Sequence, residues 1–396
     1  MQAHCGTAIP QLSLRKPRWR GVTMALTGRA AVVSAPYAPF EIREYPVPDP
    51  GPGEILVRIT AAGVCGSDLH IWRGEVPPLH RYPCVGGHEM AGIVAKLGAG
   101  VTTDTLGRPL REGDRVAFAY FNPCGQCFTC LSGTTGCPNR YRLRAHLTAD
   151  DPPHFHGAFA DYYLLKPRQW VFRVPEGLSD ELVAPVSCAL SQVVYGLHKI
   201  GIWLGDTVVI QGAGGLGLYA VAVARDMGAG QVISIDAIPS RLELARAFGA
   251  DHTINIREVP QRAERVALVR EWTGGTGADV CVEVAGVPAV VQEGLEMLRA
   301  GGRYLMMGNI IPGAVAEIVP HDAVRSPKRL LGVLSYDAWV IPRALDWLVR
   351  ARPRYPLDRL VARTYPLEET TRAFQEADWA AQRGEVPRAL IRVMAG

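Results

Sequence analysis

A strong excess of charge of one sign is missing from this chain of 396 residues: 42 Lys and Arg stand against 38 Asp and Glu, a formal net charge of +4. Long basic runs are missing too, which argues against nucleic acid as the main partner. The first residues do not read as a secretory leader either. Arg15, Lys16, Arg18 and Arg20 lie near the start, but no apolar stretch follows them. Residues 1–24 read instead as a disordered tail, with Met24 as a second candidate start. Internal repeats and low-complexity tracts are absent, which excludes solenoids and fibrous arrays. Only residues 207–224 are long and uncharged enough to resemble a membrane span. They hold Gln211 and a glycine turn, so they read as strand, turn and helix, and no membrane partner is expected. The chain is 48% apolar and 20% charged, enough for a sizeable core, and its length suits two domains.

Residues 206–236 read DTVVIQGAGGLGLYAVAVARDMGAGQVISID. Val208, Val209 and Ile210 suit a parallel strand buried on both faces. Gly212, Gly214 and Gly217 follow in the spacing G-x-G-x-x-G, with Gly215 and Leu216 between the last two. An apolar helical pattern then leads to a second strand ending on Asp236. This is the arrangement that holds a dinucleotide. Gly212 permits a sharp turn, Gly214 lets a pyrophosphate approach the backbone, and Gly217 lets the helix pack on the strand. The helix N-terminus offers free N–H groups to the phosphates. Asp236 stands where a carboxylate accepts hydrogen bonds from the adenosine ribose. A carboxylate there repels a 2′-phosphate, which favours NAD over NADP. Arg241 tempers this, since an arginine can pair with that phosphate or flank the adenosine.

Before this unit, residues 29–59 alternate short apolar strands with Pro and Gly, as a β-rich domain with tight turns does. Nine cysteines in a chain with no secretory signal raise metal binding above disulfides, and a cytoplasmic setting is expected. Cys124, Cys127, Cys130 and Cys137 form the strongest cluster. Their spacing can close a tetrahedral thiolate shell around a zinc ion, with Gly125, Gly133 and Gly136 supplying the turns. Four thiolates leave no open position, so this zinc would brace a lobe rather than catalyse. His154 and His156 lie in a loop rich in Pro and His and read as solvated side chains rather than ligands. Residues 182–201 read as helical and carry Cys188. After the glycine turn, strand and helix patterns alternate to about residue 331, with residues 289–302 read as helix. That is a doubly wound parallel sheet. The tail from about residue 340 holds two helices and a last strand, and is expected to return to the first domain.

Taken in order, CGSDLH around Cys65, the Gly87-His88-Glu89 triplet, the four-cysteine loop, APVSC around Cys188 and GAGGLG resemble the zinc-dependent medium-chain alcohol dehydrogenases. The resemblance covers the chain from about Gly28 onward. It implies a GroES-like catalytic domain over residues 25–186 and 335–396, with a Rossmann domain over 187–334 between its halves. It makes Cys65, His88 and Cys188 the ligands of a catalytic zinc, with Glu89 beside it as a neighbour or transient ligand. Ser67 would take the substrate proton and His70 would pass it on. The four-cysteine loop would be the structural zinc site, giving two zinc ions per chain, and Arg388 would lie near the cofactor pyrophosphate. Two departures stand out: the gap from Cys130 to Cys137 is one residue shorter than is usual in the family, and the stretch TDTLGRPLREGD is longer, either a surface hairpin or a segment that reshapes the cleft mouth.

Two thiolates and an imidazole leave one open zinc position, the pattern of a catalytic ion. An alcohol held there becomes far more acidic, as bound water does when its pKa falls to about 7. Ser67 and His70, three residues apart, make a short proton relay. The expected activity is oxidation of a secondary or cyclic alcohol to the ketone or aldehyde, with hydride passing to NAD. A zinc-free quinone or enone reductase and a non-catalytic binding protein are the alternatives. Trp72, Tyr120 and Phe121 either line the cleft or fill the core. The expected partners are a small alcohol or carbonyl compound and further copies of the chain, as a homodimer or homotetramer.

Overall fold

The computed structural model describes residues 26–76, 81–132, 136–140, 147–361, 363–383 and 388–393. The expected N-terminal tail and Gly133 fall outside them.

Between residues 207 and 332 the chain builds a six-stranded sheet, parallel throughout. In spatial order its strands are His252–Asn255, Gln231–Asp236, Thr207–Gln211, Ala278–Glu283, Leu298–Met306 and Arg329–Gly332. Numbered by sequence, that order is three, two, one, four, five, six, so the direction of winding reverses between Thr207–Gln211 and Ala278–Glu283. The run of Val208, Val209 and Ile210 follows from burial on both faces. Val208 and Ile210 join the core under the helices Ala189–Ile200 and Gly215–Asp226, whereas Val209 packs with Ile233 and Cys281 on the other side.

The remaining strands form two mainly antiparallel sheets. A seven-stranded sheet runs in the order Arg363–Pro366, Ala389–Arg392, Ile55–Gly63, Glu89–Leu97, Arg115–Phe118 and Val171–Arg173, with Tyr162–Leu165 pairing the first half of Ile55–Gly63. Ala389–Arg392 lies against the second half of that strand, so the C-terminal segment does return to the N-terminal half. Phe40–Pro46, Thr27–Val33 and Cys84–Val85 make a small third sheet. The fold is therefore α/β, a GroES-like β domain joined to a Rossmann-like parallel sheet.

Two local expectations change. Residues 182–201 are not one helix: Asp180–Val183 gives way to a 3-10 turn, Ala184–Ser187, that carries Pro185, and a new helix starts after Cys188. Pro185 has no N–H to continue the ladder, and Cys188 takes a non-helical backbone, φ −138° and ψ −84°. Residues 289–302 are helical only through Val290–Met297. Leu298 already belongs to the next strand, and Gly301, at φ +74°, turns the chain before Arg303 rejoins the ladder. The stretch TDTLGRPLREGD is a hairpin, closed by a bridge from Thr103 to Pro109 and tied to the sheet where Thr105 N–H donates to the Val171 carbonyl.

Candidate active site

Four elements meet at one buried point. The short helix Gly66–Trp72 starts at Cys65, whose N–H donates to Asp68 Oδ2 at 3.0 Å. The other oxygen of Asp68 lies 2.9 Å from His88 Nδ1. The Asp68 side chain is 2% exposed, so both bonds are made away from water. His88 follows Gly87, whose φ of +86° and contact with Ala158 leave no room for a side chain. Opposite, Ser187 Oγ accepts the Met90 N–H at 3.0 Å and donates to the His88 or Ala184 carbonyl, at 3.2 and 3.0 Å. This brings the broken helix against the His88 strand and sets Cys188 facing the ring. One ligand atom each from Cys65, His88, Glu89 and Cys188 then falls within 4.8 Å of the others, all buried.

The electrostatics suit a cation. The hydrogen bond from Cys188 holds the Cys65 thiol well below its ordinary value, and the same contact, with burial, pushes Cys188 well above its own. Burial alone would lower the His88 imidazole, but Asp68, helped by Cys65, outweighs it and lifts the ring to about 10. Since Asp68 binds Nδ1, Nε2 is the nitrogen left to face the cluster. Burial pushes the Glu89 carboxyl up to about 8, against the pull of Arg388. Glu89 Oε2 is paired with Arg388, while Oε1 is buried with no hydrogen-bond partner, an orphan that a metal ion would satisfy.

Ser67 Oγ lies 3.2 Å from His88 Nε2, at the rim of this cluster. His70 is one turn further along the same helix and shares a hydrogen bond through Nδ1 with Glu75, a partly exposed acid that sequence reasoning missed.

The second cluster is Cys124, Cys127, Cys130 and Cys137, again within 4.8 Å. The sulfurs are 3.6 Å apart for Cys127 and Cys130, 3.9 Å for Cys127 and Cys137, and 3.6 Å for Cys124 and Cys137. A tetrahedron with Zn–S bonds of about 2.3 Å has an S···S edge of about 3.8 Å. The shortened gap before Cys137 therefore still closes on a zinc-sized centre. The backbone N–H of Gln126, with the Asn139 side chain and the Cys127 N–H, pulls the Cys124 thiol down to about 6, while burial pushes Cys130 up to about 12.

Comparison with known proteins gives the family to which this fold belongs. The profile described as Alcohol dehydrogenase GroES-like domain matches residues 51–176, and that of Zinc-binding dehydrogenase matches residues 215–350. The chain is 36% identical over 338 residues to 5-exo-hydroxycamphor dehydrogenase from Pseudomonas putida, covering 85% of this chain and 91% of that protein. The chain belongs to the zinc-dependent medium-chain alcohol dehydrogenases. It is also 34% identical over 344 residues to sorbitol dehydrogenase from Bacillus subtilis, at 85% and 90% coverage. An alcohol dehydrogenase from Thermotoga maritima superposes with a TM-score of 0.86 at 31% identity, over 93% of this chain and 100% of that one. A zinc-binding dehydrogenase from Sinorhizobium meliloti, solved with NADP, does so with 0.78 at 29% identity, over 93% and 100%. This dehydrogenase is thus an alcohol-oxidising oxidoreductase that uses zinc and a nicotinamide cofactor, and a zinc-free reductase is not favoured.

At the glycine turn of this dehydrogenase, Gly212 has φ +104°, and a Cβ on Gly217 would fall 1.9 Å from the Gly212 carbonyl oxygen. Gly214 opens the helix Gly215–Asp226 with nothing within 4 Å of where its Cβ would stand, an open cradle at a helix N-terminus. Leu216, on the first turn, is half-buried. Arg388 fits against Gly215, where a Cβ would meet its Nε at 2.9 Å. One guanidinium thus spans the acid beside the thiols and the glycine turn. Asp236 closes the loop: Oδ2 accepts the Ala213 N–H at 2.7 Å, Oδ1 accepts the Ile238 N–H at 3.0 Å, and Arg241 Nη1 lies 3.9 Å from Oδ2.

The undecided aromatics divide. Trp72 is core: it packs on Phe374 and Tyr37 and donates to the Ala38 carbonyl. Tyr120 lies 4.8 Å from the His88 ring, beside the site, whereas Phe121 packs on Trp170 and Tyr336 and belongs to the core. His154 and His156 are not solvated as expected. His154 stacks on Tyr45 at 4.5 Å and bonds the Ala149 carbonyl, and His156 is buried. Neither belongs to a metal cluster among the described residues.

Proposed function

We propose that this dehydrogenase is NAD-dependent and holds two zinc ions, a catalytic one at Cys65, His88 and Cys188, with Glu89 beside it, and a structural one at the four-cysteine loop. The observation that carries the reading is the convergence of two thiols, one imidazole nitrogen and one carboxylate oxygen within 4.8 Å. When bound, the catalytic zinc supplies Lewis-acid polarisation of the alcohol oxygen. The chain's own residues do the rest. Asp68 holds His88 in the tautomer that offers Nε2. Ser67 accepts the hydroxyl proton as it releases its own towards His70, which in turn gives one from Nδ1 to Glu75 at the surface. Arg388 opposes the burial that raises the Glu89 carboxyl and ties the site to the glycine turn, where the helix N-terminus receives the pyrophosphate. Asp236 reads the ribose, with Arg241 flanking the adenosine.

The substrate proposed is a secondary or cyclic alcohol, which the Tyr120 ring beside His88 and the relatives named for hydroxycamphor and sorbitol support. The domains are taken as residues 25–186 with 335–396, and 187–334. We also infer a homodimer or homotetramer in the cytoplasm. Arg329–Gly332 ends the six-stranded sheet as an edge strand, and Leu330 on it, with Ile318 and Val319 beside it, is exposed. No helix among the described residues is long and apolar enough to cross a membrane.

The test is reduction of NAD and of NADP with a panel of primary, secondary, cyclic and polyol substrates. The expected result is faster turnover with NAD and with secondary or cyclic alcohols. Equal or better use of NADP, or unchanged selectivity in Asp236→Gly, would remove Asp236 as the ribose reader. No turnover with any alcohol by the zinc-loaded enzyme would end the proposal.

A further inference from the structure

Glu283 ends the strand Ala278–Glu283, at the point where the winding of the parallel sheet reverses. In open sheets of this kind the ligand lies in the crevice beyond the carboxyl ends of the strands at that reversal. The side chain is nonetheless fully buried, at 0% exposure. Buried carboxylates are ordinarily paired with a cation. Glu293, on a helix beside the sheet, follows that pattern, with Arg265 at 2.6 Å. Glu283 instead has two backbone donors among the described residues. Oε1 accepts the Gly286 N–H at 2.7 Å, and Oε2 accepts the Gly308 N–H at 3.1 Å.

Those donors belong to different loops, one following Ala278–Glu283 and one following Leu298–Met306. The loops pack backbone on backbone. A Cβ on Gly308 would come within 2.6 Å of both Glu283 Oε1 and the Gly286 nitrogen, and one on Gly286 would lie 3.1 Å from the Gly308 carbonyl oxygen. The first loop in turn presses on the phosphate turn, since a Cβ on Gly212 would be 3.0 Å from the Ala285 nitrogen. One carboxylate therefore holds together two loops at the mouth of the cofactor crevice and, through Ala285, the glycine turn.

We propose that Glu283 is a positioning residue for the dinucleotide: it clamps these two loops into the surface on which the nicotinamide half of the cofactor rests. A carboxylate is required because both partners are donors. A glutamine would turn one nitrogen towards an N–H, and an aspartate is one methylene too short to reach both. This rests on the nicotinamide-dinucleotide reading of the crevice and extends it to a residue outside the glycine motif.

The experiment titrates NADH fluorescence and measures cofactor KM and kcat in the zinc-loaded wild type, Glu283→Gln and, as control, Glu293→Gln. Both variants lose a buried contact, so both unfold at lower temperature. Only Glu283→Gln should weaken NADH binding, by about tenfold, with cofactor KM rising in step and kcat at saturating cofactor within about threefold. If Glu283→Gln fails to fold, Gly308→Ala, which pushes a methyl into the same clamp, is expected to weaken NADH binding in the same direction. An unchanged NADH affinity in Glu283→Gln, or in Gly308→Ala where that substitute is needed, would overturn the proposal, as would equal weakening in Glu293→Gln. Failure of the wild type to bind NADH would instead remove the dinucleotide reading itself.

Discussion

Asp68→Asn isolates the part of the metal site that no ligand supplies. Asp68 receives two donors, the Cys65 N–H at 3.0 Å and His88 Nδ1–H at 2.9 Å, and is 2% exposed. An asparagine has one acceptor oxygen for these two contacts, so its amide nitrogen must face one of the donors. A hydrogen bond to a charged group contributes about 1.5–3 kcal/mol, and a buried donor left unpaired costs about 1–3 kcal/mol. Only the share that orients Cys65 and His88 reaches the metal. Partners of this kind alter metal affinity about 10–100-fold, equivalent to about 1.4–2.8 kcal/mol. The assay is zinc competition with a chromophoric chelator, together with zinc counts per chain. One zinc should become easier to remove by that factor and activity should fall with it, while the four-cysteine zinc serves as an internal reference. Wild-type affinity at both sites would refute the reasoning, as would loss of the four-cysteine zinc first.

Arg388→Ala strands Glu89, which is 0% exposed, without its cation. Breaking such a pair costs about 3–5 kcal/mol in denaturant unfolding, and a double replacement by apolar residues should recover part of it; a loss under about 1 kcal/mol would contradict the pairing. In zinc-stripped enzyme, Cys124 has its thiol lowered to about 6 and Cys130 has its thiol raised to about 12. A lowered thiol is a thiolate on the alkaline side of its pKa, so iodoacetamide should label Cys124 increasingly as pH rises through about 6, while Cys130 stays protonated across the neutral range. Zinc should protect both, and equal labelling at pH 7 would count against that order.

What the sequence made legible was local. The glycine turn and its flanking strands are contiguous; Gly212, Gly215 and Gly217 each answer to a contact a side chain would violate, and Gly214 leaves open space at the helix N-terminus. The four cysteines span only fourteen positions, Cys124 to Cys137. Cys65, His88 and Cys188 came from resemblance, since nothing in their spacing brings them together. What was missed depends on pairings distant in sequence. Arg388 reaches Glu89 across 299 positions, and Ser187 bonds the Met90 N–H across 97. Asp68 had a faint local signal: an acid three residues after a helix-starting cysteine is placed to receive that cysteine's N–H. The break at Cys188 was obscured because residues 182–201 are apolar enough to continue as a helix. Pro185 marked it, but its effect depends on the Ser187 bonds that hold the turn against the His88 strand.

The central claim is a zinc ion gripped by side chains from three separate stretches of the chain. Anomalous diffraction at the zinc edge, from crystals of the enzyme grown without chelator, tests it most directly. The account predicts one peak about 2.3 Å from Cys65 and Cys188 Sγ and about 2.0–2.1 Å from His88 Nε2, and a second inside the four-cysteine loop. A peak only at the four-cysteine loop, with Cys65, His88 and Cys188 well ordered around no metal, would contradict it.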